Sequence, residues 1–451
     1  MASRIPATAK NRGYTLILIL FGLLLAAGLF SFALSSAGAR LRKEKVTSDA
    51  LALAKEALIA YAANRPLSVS GGPWPGDLPC PDTNNDGAAE ANCSTAATLL
   101  GRLPWKTLKL PDLRDGDGER LWYVVSANYR NNPRVGLRNS DTPGSLGLEV
   151  ADGSLYGAAT PRGLAIAFVV APGAVLTRQG AAAPQDRTCG VDAGCVATGI
   201  CATVATPRCD PRNYLDNFGA VDNAVLHENP ATPANAFRDG ELKDASGLWI
   251  NDRFLPIGRD DLLPLVEKRV AAETLACLTT YAAKAVNKGR FPWAAPVGDT
   301  SVAPAYADVA GTRFGRIPHQ SMLKTQAYGG STMDMSLTSC FGSAAGDWWP
   351  NWREQVFYAV ATNYQPGPGT PAPCAPAAPC LAVTPGSTAD KQVVVLVAGR
   401  RIGAQSRSFP APWQNNAPGN FLELENASFA DGVFARAPAS ANFNDTAYSY
   451  P

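Results

Sequence analysis

The stretch that decides the fold lies near the start of the chain, at residues 12–34, and reads RGYTLILILFGLLLAAGLFSFAL. After Arg12 no charged residue occurs until Arg40. At the rise of an α-helix this apolar run is about 30 Å long, which matches the hydrocarbon thickness of a bilayer. It is too long for the apolar core of a cleavable secretory signal. The sequence therefore predicts a transmembrane helix.

A basic leader, residues 1–13, precedes this run and contains no acidic residue. A basic, polar leader that ends in Gly13 and is followed by an aromatic residue, a threonine and an aliphatic run resembles the processing site of type IV pilins and type II secretion pseudopilins. The resemblance implies that a prepilin peptidase cuts after Gly13. Tyr14 would then be the methylated first residue of the mature chain.

One position departs from the pattern of that family, which usually has Glu at mature position five, where this chain has Leu18. In an assembled fibre that Glu neutralises the amino terminus of a neighbouring subunit, because an unpaired charge in an apolar bundle is costly. Tip-type minor pseudopilins lack this Glu. The departure therefore favours a minor, initiating or tip subunit over a bulk shaft subunit. An uncleaved signal anchor is the alternative interpretation of the segment.

Composition sets the class of the chain. Its 451 residues, 46% of them hydrophobic, are enough for two or three domains with their own cores. The formal net charge of +2 gives no indication of nucleic-acid binding. Ten cysteines favour an oxidising compartment after the anchor: Cys80, Cys93, Cys189, Cys195, Cys201, Cys209, Cys277, Cys340, Cys374 and Cys380. The predicted location is the bacterial inner membrane, single-pass, with the head in the periplasm and at the cell surface after assembly.

Helical spacing continues after a basic juxtamembrane segment that ends at residue 45. Apolar residues recur at three- and four-residue intervals over residues 48–64, and several Pro and Gly residues then end the pattern. Periodicity alone gives two helical pieces. The resemblance implies one helix over residues 14–64, half in the membrane and half packed on a globular head.

A candidate calcium loop follows. Oxygen-bearing side chains at alternate positions, followed by a glycine, reproduce the opening of such a loop: Asp82, Asn84 and Asp86. The closing acid is missing, because the twelfth position is Cys93, although Glu90 could supply a ligand. The alternative is an Asx-rich turn fastened by a Cys80–Cys93 disulfide.

The second half of the chain repeats landmarks of the first in the same order. The two strand-like segments of the first half, residues 119–129 and 163–173, are rich in aromatic and β-branched residues. The matched segments are 54–63 with 272–283, 101–104 with 315–318, 119–129 with 354–364, 165–173 with 393–399, 213–215 with 420–422, and 251–252 with 444–445. We expect an α+β fold in which a loop-rich, disulfide-linked head of antiparallel sheets is duplicated, with modules at 46–264 and 265–451. The second helix is expected at about 262–288, with Pro264 in its first turn.

No catalytic constellation stands out. The two histidines, His227 and His319, have no metal-ligand spacing, and no nucleophile elbow, HExxH motif or phosphate-binding loop occurs. The sequence predicts no enzyme and no cofactor apart from the calcium hypothesis. A signal-anchored periplasmic enzyme or ligand-binding protein is the alternative.

The remaining cysteines favour disulfides over zinc. A zinc site from the four cysteines between residues 189 and 209 would need closer pairs than these gaps provide. Cys374 and Cys380 lie in a Pro- and Ala-rich loop, where a local disulfide is simplest. Cys277 and Cys340 are left over as candidates to join each other in the second copy.

Three tryptophans form the last candidate site: Trp348, Trp349 and Trp352. They would suit a carbohydrate- or partner-binding platform, and they would equally suit a core beneath a loop, which is the commoner place for tryptophan.

Taken together, the residues and the resemblance predict a minor or tip subunit of a type IV pilus or type II secretion system. Its expected partners are other pilins or pseudopilins, through the N-terminal helix, together with prepilin peptidase and the inner membrane. The duplicated head would cap the fibre or present a binding surface.

Overall fold

The computed structural model of the chain describes residues 11–66, 74–150, 152–157, 163–187, 210–297, 306, 308–318, 325–328, 331–334, 341, 347–378, 380–386, 388–407 and 417–451. Side chains are described for these residues except 11–36, 325–328 and 331–334.

Three α-helices occur in the described chain: α1 (Asn11–Ala63), α2 (Arg259–Ala282) and α3 (Trp349–Trp352). Helix α2 begins three residues before the predicted start, so Pro264 lies inside the helix and not in its first turn. Asp260 and Asp261 occupy that first turn, where their charge is favourable for the helix dipole.

The strands are, in chain order, β1 (Leu100–Arg102), β2 (Trp122–Val125), β3 (Leu148–Glu149), β4 (Ala167–Ala171), β5 (Asn217–Phe218), β6 (Val221–Asp222), β7 (Phe237–Arg238), β8 (Leu242–Asp244), β9 (Gly247–Ile250), β10 (Arg253–Ile257), β11 (Phe314–Arg316), β12 (Thr325–Tyr328), β13 (Ser331–Asp334), β14 (Val356–Val360), β15 (Ala382–Thr384), β16 (Val393–Val397), β17 (Val433–Ala435) and β18 (Thr446–Tyr450).

Two four-stranded antiparallel sheets organise the head. Sheet A has the order β1-β2-β4-β10, and sheet B has the order β11-β14-β16-β18. The central strands of both sheets are buried along their whole length, as continuous aliphatic and aromatic runs require. Helix α1 with sheet A is called the first module below, and α2 with sheet B the second module.

The helices lie against the sheets and against each other. Helix α1 packs on β4 and β10, α2 packs on β16 and β18, and the two helices are in contact. One core therefore runs through both modules. The outer face of sheet A has a second, smaller core, to which Trp122, Val124, Phe168 and Val170 contribute on alternate strand positions.

The predicted fold class, which depended on a long helix with a transmembrane half, is wrong. The described residues are mostly strands, turns and loops, and none of their helices is long and apolar enough to cross a membrane. The predicted span at residues 12–34 falls in the part of α1 whose side chains lie outside the description. A single-pass location in the inner membrane is accordingly not supported by the structure.

Candidate functional site

The C-terminal part of α1, residues 40–63, is the first candidate site, because its contacts attach the helix to the head. Its buried positions are small or branched apolar residues at three- and four-residue spacing: Ala50, Leu51, Ala54, Leu58 and Ala62. The alanines let the helix approach the sheet and α2 closely, while the leucines fill the space between. Burying a leucine contributes about 2 kcal/mol, so this stripe fixes the rotation of α1 about its axis.

Ion pairs hold the basic segment of α1 to two loops of the first module. Arg40 Nη2 lies 2.6 Å from Glu241 Oε1, and Lys43 Nζ lies 2.5 Å from Asp117 Oδ1. The hydrogen bond to Asp117 raises the pKa of Lys43. Exposed pairs such as these stabilise by less than about 1 kcal/mol each. They orient the helix more than they stabilise the fold.

A glycine permits one of these loops to reach the helix. A Cβ atom at Gly116 would collide with the carbonyl oxygen of Lys43. The N–H of Gly116 donates to Thr47 Oγ1 at 2.9 Å. Only a residue without a side chain allows the backbone of the loop this close to α1.

Lys55 connects α1 to the junction between the modules. Its Nζ donates to the carbonyl oxygen of Pro256 at 3.0 Å and to Asp261 Oδ2 at 2.9 Å. The same Asp261 oxygen accepts the N–H of Gly258 at 2.8 Å, immediately before α2. One lysine on α1 therefore contacts the end of β10 and the start of α2.

The predicted processing site lies at the start of α1. Gly13 and Tyr14 fall within its helical range, but their side chains belong to the part outside the description. Cleavage and methylation stay predictions.

The candidate calcium loop is an Asx-rich turn. Asn84 Oδ1 accepts the N–H of Asp86, and Asp86 Oδ1 accepts the N–H of Ala88. Asp82 Oδ2 accepts the N–H of Gly87, while its Oδ1 is buried without a partner in the described chain. Burial raises the pKa of Asp82 to about 6. The described residues contain no group of three or more His, Cys, Asp or Glu side chains able to hold a metal ion, and calcium binding stays a prediction.

The three tryptophans lie in the core. Trp348 is 3% exposed, and Trp349 and Trp352 are 0% exposed. The ring of Trp349 packs 4.3 Å from that of Phe341, centroid to centroid. A binding platform made of these rings would require the core to open.

Of the two histidines, His227 is described, and His319 lies outside the described residues. The ring of His227 packs edge-on against Phe237, with centroids 4.8 Å apart. Its Nε2 lies 2.8 Å from the carbonyl oxygen of Asp222. These contacts give His227 a packing role.

Two of the predicted disulfides are confirmed, Cys80–Cys93 and Cys374–Cys380. Cys277 is disulfide-bonded as well, and its proposed partner Cys340 lies outside the described residues. The cysteines between residues 189 and 209 also lie outside them.

A buried polar network in the first module was not predicted. Asp216 Oδ1 accepts Gln185 Nε2 at 3.0 Å, and Asp216 Oδ2 accepts the N–H of Asn251 at 2.8 Å. Asp252 Oδ2 accepts the N–H of Asp216 and Asn223 Nδ2, both at 2.8 Å. Each carboxyl group thus accepts a backbone N–H from the segment that contains the other carboxyl group.

An arginine completes this network. Arg187 Nη2 donates to Gln185 Oε1 at 2.7 Å and to the carbonyl oxygen of Tyr214 at 3.1 Å, and Nη1 donates to the carbonyl oxygen of Gly173. The guanidinium therefore places a positive charge beside the carboxyl pair without binding either carboxyl oxygen directly.

The second module contains the same network. Glu423 Oε1 accepts Gln405 Nε2 at 2.8 Å, and Glu423 Oε2 accepts the N–H of Asn444 at 3.0 Å. Asp445 Oδ2 accepts the N–H of Glu423 at 2.8 Å and Asn426 Nδ2 at 3.1 Å.

Arg407 corresponds to Arg187. It donates to Gln405 Oε1 at 3.2 Å and to the carbonyl oxygens of Gly399 and Phe421, both at 2.9 Å. The Asn-Asp repeat at 251–252 and 444–445 is part of this network in both modules. A second repeat, Gln-x-Arg at 185–187 and 405–407, is the sequence signal that could have predicted it.

Comparisons with protein-family models, with curated proteins and with solved structures found no match. The assignment of a function therefore depends on the residues and geometry given above.

Proposed function

We propose that this protein is a minor or tip-type pilin-like subunit of a type IV pilus or a type II secretion system. It assembles with other such subunits through the apolar N-terminal part of α1. The head caps the fibre or presents a binding surface, and the role is structural and not enzymatic.

The observation that carries the proposal is the division of α1 into two parts. The helix spans Asn11–Ala63, and the head contacts given above all lie between Arg40 and Ala62. The apolar run at 16–34 precedes Arg40 in the same helix. A helix fixed to the head at one end supports assembly through the other end.

The leader supports the same proposal. Gly13 and Tyr14 form the junction that prepilin peptidase would recognise, and Leu18 stands where a shaft subunit has Glu. A tip subunit has no neighbour above it whose amino terminus needs a counter-charge, so Leu18 is tolerated there.

Processing provides the test. The full chain is isolated from cells that contain an active prepilin peptidase, and its intact mass is measured. We expect a chain that has lost residues 1–13 and begins with N-methylated Tyr14. Gly13→Val should retain the leader, whereas Gly22→Val, the same change within the apolar run, should be processed normally. A wild-type chain that keeps residues 1–13 in such cells would exclude the proposal.

A further inference from the structure

The two buried carboxyl pairs of the head have one feature in common. Asp252 and Asp445 each have one oxygen, Oδ1, that is buried and has no hydrogen-bond donor in the described chain. Every other carboxyl oxygen of the two pairs accepts at least one N–H group. A buried acceptor without a donor is energetically unfavourable, so its presence at the same place in both modules requires an explanation.

A proton on Oδ1 supplies that explanation. The protonated group becomes a donor, and one of two adjacent buried negative charges disappears. In the second module the side chains of Asp445 and Glu423 lie within hydrogen-bonding reach of each other. Burial, and next the charge of Glu423, raise the pKa of Asp445 well above its usual range. Burial, followed by the charge of Asp216, raises the pKa of Asp252 in the same direction.

The surrounding charges agree with one proton per pair. In the first module Arg187 and Arg178 face Asp216, and Arg178 is itself paired with Asp222 at 2.7 Å. A pair of carboxyl groups that holds a single proton keeps one negative charge, and the positive charge of Arg187 balances it.

In the second module Arg407 has the role of Arg187. It is also paired with Asp141 at 2.9 Å and faces Glu267, while Arg187 also faces Glu119. Neither arginine can therefore compensate two negative charges on its carboxyl pair.

We infer that each module contains a proton-dependent latch, in which two carboxyl groups share one proton and hold a loop against the segment that enters the last strand of the sheet. The first latch is Asp216 with Asp252, which joins the loop after the turn Pro211–Asn213 to β10. The second latch is Glu423 with Asp445, which joins the loop after Pro418–Asn420 to β18. Loss of the proton to solvent leaves two buried carboxylates side by side and releases the loop.

The direction of the pH dependence follows from proton linkage. The closed latch keeps a proton that the open, solvated carboxyls lose. The equilibrium constant for opening therefore rises about tenfold per pH unit between the pKa of an exposed carboxyl, about 4, and the raised pKa of the pair. Above that raised pKa it no longer changes with pH.

Amide substitutions separate this latch from a merely structural contact. Asp252→Asn and Asp445→Asn place an N–H donor at Oδ1 and keep the acceptor at Oδ2, so they imitate the protonated latch. Asp216→Asn and Glu423→Gln remove the same charge, but they turn an NH₂ group toward a backbone N–H or a Gln amide. Each of these two variants should lower the protection of its own loop from hydrogen exchange at every pH.

The measurement is hydrogen exchange of the full chain at several pH values between 5 and 9, corrected for the intrinsic exchange rate. In the wild-type protein, protection of residues 214–217 and 421–424 should fall as pH rises. Asp252→Asn should make protection of the first loop independent of pH and leave the second loop unchanged, and Asp445→Asn should do the reverse. Each loop is the control for the other. Variants that keep the wild-type profile in both loops would overturn the inference.

A second measurement applies if the variants do not fold. The infrared spectrum of the wild-type protein at neutral pH should contain protonated carboxyl bands that persist in Glu267→Gln, since Glu267 is a separate buried acid. A Glu267→Gln spectrum without any such band at neutral pH would overturn the inference as well.

Discussion

Asp141 of the first module accepts a hydrogen bond from Arg407 of the second module, with Oδ2 and Nη1 2.9 Å apart. The arginine side chain is 2% exposed, and the aspartate is 13% exposed. The neighbouring Ser140 donates to the carbonyl oxygen of Ala398 at 2.8 Å, so the contact belongs to a polar interface between the modules. The two modules are therefore joined by charge as well as by the common core.

Removal of this aspartate should destabilise the whole head. Asp141→Ala leaves Arg407 buried with fewer acceptors, and we expect a loss of about 1.5–3 kcal/mol in the free energy of unfolding, the range for hydrogen bonds to charged groups. Urea denaturation of the full chain measures it. Asp49→Ala, at an exposed ion pair on α1, should change stability by less than about 0.5 kcal/mol. Equal effects of the two variants would contradict the prediction.

Glu267 should make the protein less stable at alkaline pH. Burial raises its pKa to about 8. The unfolded chain loses this proton near pH 4, so the stabilisation is complete below that pH and is lost as pH rises through about 8. Glu267→Gln should therefore flatten the decline of melting temperature between pH 5 and 9. A variant whose profile has the slope of the wild-type protein would show that Glu267 titrates normally.

Gly116→Ala should loosen the basic segment of α1. The added methyl group meets the backbone of Lys43, and overpacking of this kind costs about 1–3 kcal/mol. We expect faster hydrogen exchange in residues 40–52. Gly38→Ala is the matched control, because a Cβ atom there meets nothing within 4 Å. The prediction fails if the two alanine variants exchange alike.

The two confirmed disulfides should differ in their effect on stability. Cys80 and Cys93 are 13 residues apart, and Cys374 and Cys380 are 6 apart. The chain-entropy model gives about 3 kcal/mol for the longer loop and about 2 kcal/mol for the shorter one. Thermal unfolding of the paired Cys→Ser variants tests this order, and a larger loss at the shorter loop would reverse it.

Buried strands were the part of the fold most accessible from sequence. Residues 163–173 form an unbroken apolar run ended by Pro-Gly, and β4 occupies Ala167–Ala171 in the middle of sheet A. The run at 393–399 contains β16 in the same way. Short apolar runs that are rich in β-branched residues and end at turn residues are typical of buried strands. Local composition therefore indicated where these two strands lie.

The polar networks could not be predicted in the same way. Gln185 meets Asp216 across 31 residues, and Arg407 meets Asp141 across 266. Partners this distant are brought together by the packing of whole modules, which no local pattern encodes. For Trp349 and Trp352, the sequence could not distinguish a surface platform from a core, because an aromatic cluster suits both.

The double contact of Lys55 has a mechanical consequence. A pull along α1 reaches the end of β10 and the start of α2 through the same ammonium group. Traction on the helix is therefore transmitted both to sheet A, through β10, and to α2, which packs on sheet B.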